Sequence, residues 1–396
     1  MLISVARQNR FGPPLRGNIG TLATIGIPIA PRFRGLAMPS LMGVVRHGDP
    51  MIHEIDPLKD PRWPELLRRH PDASVFHTRG WLETVYRTYG CKPAVFTTSG
   101  PDSDLANGLV LCRMRSWLTG RRLVSLPFSD HCEPLVTGPL DLRRLLIGVQ
   151  ERAHAEGCKY VELRPTSLLS EGQPGWRTSQ RFYLHRLDLR PGTTAVFRGF
   201  HRDCIQRKIR RAEREGIDIT EGKDLDSLKQ FYRLVLQTRR RHGLPPQPIS
   251  WFNNLVNCLG ESVTIRFASK GGQPIAAMLT LQYGKSLYYK YGASVASFHR
   301  LGPMPYLFWH AIKDAIDGGL EELDMGRSEC DNAGLVAFKD RWSATRSDLQ
   351  YWRSPANGAS PAQSNSWERR LAGVACRHLP DRYLAALGAF SYAHID

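Results

Sequence analysis

One local text occurs twice in this chain, and it limits the fold more than any other feature of the sequence. Ala155-Glu156-Gly157-Cys158-Lys159-Tyr160-Val161-Glu162-Leu163 resembles Asp317-Gly318-Gly319-Leu320-Glu321-Glu322-Leu323-Asp324-Met325. In each copy a helix stops at glycine, and an acid follows five residues later inside an apolar strand. The elements before each copy keep one order. Residues 81–89 read as a helix, 93–98, 108–114 and 122–126 as strands, 140–155 as a helix and 159–163 as a strand. The second copy has a helix at 225–236, strands at 263–269, 274–283 and 286–293 around a hairpin turn at 270–273, a helix at 305–316 and a strand at 320–325. A repeat this long predicts two duplicated domains rather than a solenoid.

The length of 396 residues leaves room for two or three domains, and 42% apolar residues are enough for ordinary cores without a metal or disulfide staple. The eight cysteines form no Cys-x-x-Cys pair, which argues against a zinc ribbon or a disulfide framework and for a reducing, cytoplasmic setting. Most read as small core residues. Cys330 lies in a polar stretch, where no nearby histidine activates it as a nucleophile. The thirteen histidines lack metal-ligand spacing, and neither a P-loop nor a nucleophile elbow is present, so no metal is expected. No run of about 18 apolar residues predicts a membrane-spanning helix. The net charge of +17 favours polyanionic partners: nucleic acid, phosphorylated small molecules, or the inner face of the plasma membrane as a peripheral contact. Residues 1–50 carry six arginines, no lysine and no acid before Asp49. They read as a disordered extension or as text upstream of a true start at Met51. Residues 354–366 read as a linker, and 367–387 as short helices in a tail spanning 354–396.

Chemistry concentrates in 324–342. Asp324-Met325-Gly326-Arg327-Ser328, Asn332, Gly334, Phe338-Lys339 and Arg341-Trp342 read as a polar, sharply turning loop. Lys339, held between Phe338 and Trp342, suits a developing oxyanion. Asp324 is a base or the ion-pair partner of Arg327; Arg327 can hold a phosphate or carboxylate bidentately. Asn332 caps the following turn or touches substrate. Arg207, Lys208, Arg210, Arg211 and Arg214 leave an apolar stripe of Ile205, Ile209 and Ala212 on a helix, and Arg239-Arg240-Arg241-His242 forms a second basic cluster. These clusters read as solvated faces or as a cradle for a phosphorylated acceptor, a tRNA or an anionic membrane. Tyr291, beside Gly292, lines an acceptor channel or packs in the core.

The strand–strand–strand–helix–strand order, used twice, resembles two GCN5-related acyltransferase (GNAT) folds in tandem, the arrangement of the Fem-type family. The second half is similar to the FemAB-like, BioF2-like acetyltransferase domain associated with exopolysaccharide and PEP-CTERM export systems. The matching text is 208–216, 238–243, Tyr291-Gly292-Ala293, 324–328 and Phe338-Lys339-x-Arg341-Trp342. The likeness spans about residues 75–355 and is strongest over 195–352. It implies an α+β fold with mixed sheets flanked by helices, a first GNAT-like domain at 51–190 and a second at 191–353. It also implies an acyltransferase acting on a cell-envelope or exopolysaccharide precursor, a phosphorylated or lipid-linked sugar or peptide. No cofactor is permanently bound; acyl-CoA or aminoacyl-tRNA serves as co-substrate. Lys339 matches the family's catalytic lysine. GNAT enzymes cradle coenzyme A pyrophosphate on a glycine-rich loop at a helix start. Here Arg300 and Gly302 stand in that loop, but Gly302 comes one place early, and Pro303 and Pro305 remove two amide donors. The competing reading is a non-catalytic basic protein that binds nucleic acid or lipid; it would depend on Arg207–Arg214 and ignore Lys339.

Overall fold

The computed structural model describes residues 52–116, 120–167, 174–355 and 376–394. The predicted N-terminal extension and the 356–375 part of the tail lie outside them. The first half contains β1 (His53–Ile55), α1 (Arg62–Arg69), α2 (Arg79–Tyr89), β2 (Lys92–Thr97), β3 (Leu109–Ser116), β4 (Gly120–Val124), α3 (Pro139–Ala155), β5 (Tyr160–Leu163) and β6 (Arg177–Asp188). The second contains α4 (Gly192–Gly199), α5 (Arg207–Arg214), β7 (Asp218–Glu221), α6 (Leu225–His242), α7 (Ile249–Leu259), β8 (Val263–Lys270), β9 (Gln273–Tyr283), β10 (Ser286–Ser294), α8 (Pro303–Asp317), β11 (Glu322–Glu329), α9 (Ala333–Asp340) and β12 (Thr345–Pro355); α10 (Asp381–His394) follows. From β1 and from β7 onward the two halves share one order, a strand, two helices, three strands, a helix and two strands, with α4 and α5 added before β7 and α9 inserted before β12 in the second.

Among the described residues, all strands join one twelve-stranded sheet in the order β1-β2-β3-β4-β5-β12-β6-β11-β10-β9-β8-β7. The halves exchange their last strands. β6 pairs with β11 of the second half, β12 pairs with β5 of the first, and the two exchanged strands pair with each other at the centre. Each half also contains one parallel contact. β4 meets β5 only at Leu123–Val161 and Val124–Glu162, and β10 meets β11 only from Ser286–Glu322 to Tyr288–Asp324. Beyond those pairs the strands separate. A bulge between Tyr289 and Tyr291 bends β10 away and places Lys290 at the opening.

Glu162 and Asp324 therefore occupy the same place in their halves, the last paired residue before the split. The helix after each split rests on the sheet. In α8, buried Leu307, Phe308, Ala311, Ile312 and Ala315 recur at helical spacing and pack on Ala276, Met278, Leu287 and Leu323. On the opposite face, Trp81 of α2 meets Trp251 of α7 edge-on at 5.4 Å, so one core runs across both halves. Among the described residues, no helix is long and apolar enough to cross a membrane.

The polar stretch 324–342 is not the loop its composition suggests. Residues 322–329 continue as β11 and 333–340 form α9. Small polar residues favour turns locally, but sheet pairing with β6 and packing of α9 on β11 override that preference.

Candidate functional site

The split between β10 and β11 is filled by polar groups from five elements. β11 supplies Asp324 and Arg327, and α9 supplies Lys339 from its last turn. The β10 bulge supplies Lys290, β12 supplies Tyr351, and the segment after β4 sends Asp130 and His131 across from the first half.

Asp324 is buried. Its Oδ2 accepts from His131 Nε2 at 2.8 Å, and its Oδ1 accepts from the Gly326 N–H at 2.7 Å. Burial pushes this carboxyl up, yet the His131 charge and hydrogen bond, Arg186 and the Gly326 amide outweigh it and hold it below the usual carboxylate range. The expected ion pair of Asp324 with Arg327 does not form. Arg327 instead lies over the rings of Phe182 and Tyr351, at 4.5 and 5.1 Å, and donates to the Tyr351 hydroxyl. Each side chain is taken up elsewhere, Arg327 by those two rings and the hydroxyl and Asp324 by His131 and the Gly326 amide.

Lys339 is 2% exposed, and its Nζ donates to the carbonyls of Gly326 and Arg327 at 2.7 and 2.9 Å. Two of the three ammonium N–H groups are thus used, leaving one for another acceptor. Burial lowers its pKa to about 8 against the opposing pull of Asp130 and Asp324. Asp130 accepts from Lys290 Nζ at 2.8 Å, and its backbone carbonyl accepts from the Tyr351 hydroxyl at 2.7 Å. Burial works against its charge, but Lys290 and Arg327 bring it down to about 2. Gly326 has φ +71 and faces the Asp130 carboxylate, which a Cβ there would meet at 3.4 Å.

The equivalent place in the first half is built differently. Glu162 is clamped by two guanidiniums, from Arg164 at 3.0 Å and from Arg353 at 2.6 Å. Arg353 faces Glu162 across β12, just as Arg186 faces Asp324 across β6. Arg164 also donates to the carbonyls of Leu126 and Ser129, at 3.1 and 3.2 Å. The segment it grips contains Leu126 and Phe128 at positive φ, 51° and 67°, a strained path for non-glycine residues. That segment leads directly to Asp130 and His131. The first-half acid is clamped between two guanidiniums, whereas the second-half acid is hydrogen-bonded to an imidazole.

Of the residues singled out in the sequence, Asp324, Arg327 and Lys339 stand around the same split, Arg327 turned to Phe182 and Tyr351. Phe338 packs on Phe308 and Trp342 rather than reaching the acids. Asn332 is the N-cap of α9, accepting from the Leu335 N–H at 3.1 Å. Tyr291 accepts from the Trp251 indole at 2.8 Å and lines a cavity of about 230 Å³ with Arg239, His242, Tyr289 and Lys290. Arg207, Lys208 and Arg211 stand on the exposed face of α5 and make no hydrogen bond or ion pair with the Asp324–Lys339 group; Arg207 and Arg211 pair with Asp203 and Glu215. Lys208 borders a second cavity of about 260 Å³ at the α8 start, with His299, Phe338 and Arg341. Arg300 is exposed in the turn before it. Gly302 has φ +78, and a Cβ on it would meet the Lys208 carbonyl at 2.6 Å. Its small size lets α5 pack against this turn, whatever it does for a phosphate. With Pro303 and Pro305 in place, Met304 carries the one amide among the first three α8 positions. Sequence reasoning missed Asp130, His131, Lys290 and Tyr351, which reach the site only through the tertiary fold.

The family model of the GNAT acetyltransferase domain matches residues 199–340. The chain is 25% identical over 135 residues to the UDP-N-acetylmuramoylpentapeptide-lysine N(6)-alanyltransferase of Weissella viridescens, a match covering 33% of this chain and 40% of that protein. The structure is similar to FemX, with a TM-score of 0.60 at 16% identity over 75% of this chain and 96% of that one. It is also similar to L-PGS from Bacillus licheniformis, with a TM-score of 0.52 at 15% identity over 81% and 98% of the two chains. These structural likenesses concern the fold.

Proposed function

We propose that this chain, which belongs to the FemAB-like family of tandem GNAT folds, is an acyltransferase whose chemistry lies at the β10–β11 split. The observation that carries the reading is Lys339. It is a buried ammonium fixed by two carbonyls, with one N–H left, beside an acid–imidazole pair.

The step joins an acceptor amine or hydroxyl to an acyl carbonyl. A bond forms from the acceptor nitrogen or oxygen to the carbonyl carbon, and the bond to the carrier oxygen or sulfur breaks. The remaining Lys339 N–H stabilises the oxyanion formed between these events. With Nε2–H of His131 donated to Asp324, Nδ1 is left as the proton acceptor, and Asp324 fixes that tautomer and supports the imidazolium. The carrier leaves with a proton. Arg239, His242 and Lys290 around the 230 Å³ cavity suit an anionic group on the acceptor, and the Weissella relative, named for a nucleotide-linked muramoyl peptide, supports an envelope precursor in that role.

The donor is acyl-CoA or aminoacyl-tRNA, and the geometry favours the second. Coenzyme A pyrophosphate is normally held by free amides at a helix start, and two of the first three α8 positions are prolines. The exposed cations of α5 beside the 260 Å³ cavity fit a polynucleotide backbone instead. Transfer is tested with labelled alanyl-tRNA and labelled acetyl-CoA, each offered UDP-linked muramoyl peptide as acceptor. Transfer from the RNA, lost in Lys339→Ala and reduced in His131→Ala, is the expected result. Turnover unaffected by Lys339→Ala removes the assignment, and RNA binding without transfer from either donor leaves the chain a basic binding protein.

A further inference from the structure

The site contains a second hidden ammonium besides Lys339. The Lys290 side chain is 7% exposed, and its Nζ donates to the Phe128 carbonyl and to Asp130 Oδ2, both at 2.8 Å. The same charge lies over the rings of Phe76 and Trp81, 5.2 and 5.4 Å from their centres. A cation so far from water persists only where such partners replace its hydration. All four partners belong to the first half, whereas Lys290 stands on the β10 bulge of the second. Lys290 is therefore a hold of the second half on the segment that carries Asp130 and His131 to Asp324.

Asp130 is shared between the two ammoniums. One of its carboxylate oxygens accepts from Lys290, and the group faces Gly326, whose carbonyl accepts from Lys339 Nζ at 2.7 Å. Charges reach Lys339 from every side. Asp130 comes from the first half, Lys290 from β10, Asp324 and Arg327 from β11, and His185 from β6. The two acids favour the ammonium; Lys290, Arg327 and burial oppose it. Burial and the Lys339 charge lower the pKa of His185, so that imidazole brings no cation at neutral pH. Asp324 is committed to His131 and the Gly326 amide, and Arg327 to Phe182 and Tyr351. Tyr351, on β12, donates to the Asp130 backbone carbonyl and fixes its place. What remains to adjust the field at Lys339 is the division of the Asp130 charge.

We propose that Lys290 is a positioning residue for Lys339: it anchors Asp130 across the two halves and sets how much of that carboxylate's charge is left to hold the Lys339 ammonium. Its importance for turnover rests on the reading of Lys339 as the oxyanion donor. The role differs from that of a cation that only binds the acceptor from the 230 Å³ cavity, because it acts on Lys339 whether or not the cavity is filled. Like charges that share one anion compete for it. Removing the anion and removing the competitor therefore move Lys339 in opposite directions, which loss of structure alone does not do.

The full chain, labelled with carbon-13 and nitrogen-15 in its lysines, is titrated by nuclear magnetic resonance, and the Lys339 signal is assigned by its loss in Lys339→Arg. The parent midpoint is expected near 8. Asp130→Asn lowers it by about one pH unit, Lys290→Met raises it by about one, and the double variant falls between them. Lys290→Arg, which keeps the cation, leaves the midpoint close to the parent. Midpoints that stay in place, or that move the same way in both single variants, overturn the proposal. Where Lys290→Met does not fold, Asp130→Asn decides: a midpoint that stays or rises overturns it. The titration needs no donor or acceptor, so it stands apart from the functional reading, which falls if Lys339→Ala keeps full turnover. In the transfer assay at saturating acceptor, the alkaline limb follows the same two shifts. A Lys290→Met variant that raises KM and leaves the limb unmoved makes Lys290 an acceptor-binding cation and overturns its positioning role.

Discussion

At the scale of the residue, Lys339 holds a charge that its surroundings partly suppress. Burial lowers it to about 8, so the ammonium is the main form at neutral pH and is lost just above it. Because the proposed role needs the proton, transfer falls on the alkaline side with an apparent midpoint near pH 8, at acceptor concentrations that saturate the site. Lys339→Arg keeps a charge that does not titrate, so the alkaline limb moves up by at least two pH units even where the rate drops. A limb that stays in place assigns it to another group. Lys339 and Asp324 were legible in the sequence because the repeat pointed to the strand end and the Phe-Lys pair to a positioned cation. Asp130 and His131 were not. They sit after Pro127 in the first half with no spacing to anything in the second, and only sheet closure brings them to Asp324.

At the scale of the element, the segment after β4 is held by charge from behind and delivers charge in front. Arg164 bonds Glu162 and the carbonyls of Leu126 and Ser129, and the strained backbone between them sets where Asp130 and His131 fall. Arg164→Met leaves Glu162 with Arg353 alone and takes a donor from the carbonyls of Leu126, which keeps the Ser129 hydroxyl, and of Ser129. The expected cost in urea denaturation is about 3–5 kcal/mol, with transfer lost beyond what the remaining folded fraction accounts for. A variant of full activity per folded molecule separates the segment from the site. The packing of α5 on α8 gives a second prediction. Gly302→Ala drives a Cβ into the Lys208 carbonyl and strains a positive φ, so stability falls by about 2 kcal/mol. A melting temperature within one degree of the parent contradicts the close approach. Helices such as α2, α3, α6 and α8 were legible from apolar spacing and glycine stops. α9 was not, because eight residues rich in small and charged side chains carry no periodic signal, and their helix depends on the Asn332 cap and on packing against β11.

At the scale of the whole molecule, two consequences follow from the strand exchange and the charges along it. Asp130, Asp324 and Glu162 all have folded-state pKa values below their unfolded ones, so each adds stability that is complete above about pH 4 and drains away as pH falls through the folded value. Asp130, with a folded value of about 2, contributes about 2 kcal/mol at neutral pH. Urea midpoints are expected to decline steeply between about pH 4 and pH 2, and Asp130→Asn to flatten that decline. The exchange itself governs cooperativity. The duplicated text reads as two domains in succession, but duplication cannot reveal which copy's last strand each sheet will take, since that choice is made by pairing across about 190 residues and not by any local preference. Here β5 finishes its ladder on β12, and β11 finishes on β6, so neither half can complete its sheet from its own chain. A fragment ending at residue 190 then exposes the free edge of β5 and has β6 without either neighbour. The expected outcome is that residues 52–190 and 191–396, expressed separately, are aggregated or poorly ordered, whereas co-expression yields a soluble complex with the far-ultraviolet spectrum of the intact chain. The intact protein accordingly melts in one transition followed equally by tryptophan fluorescence and by circular dichroism. Two separated transitions, or a first fragment that folds alone with sharp tertiary signals, show that the exchanged strands are dispensable to each half.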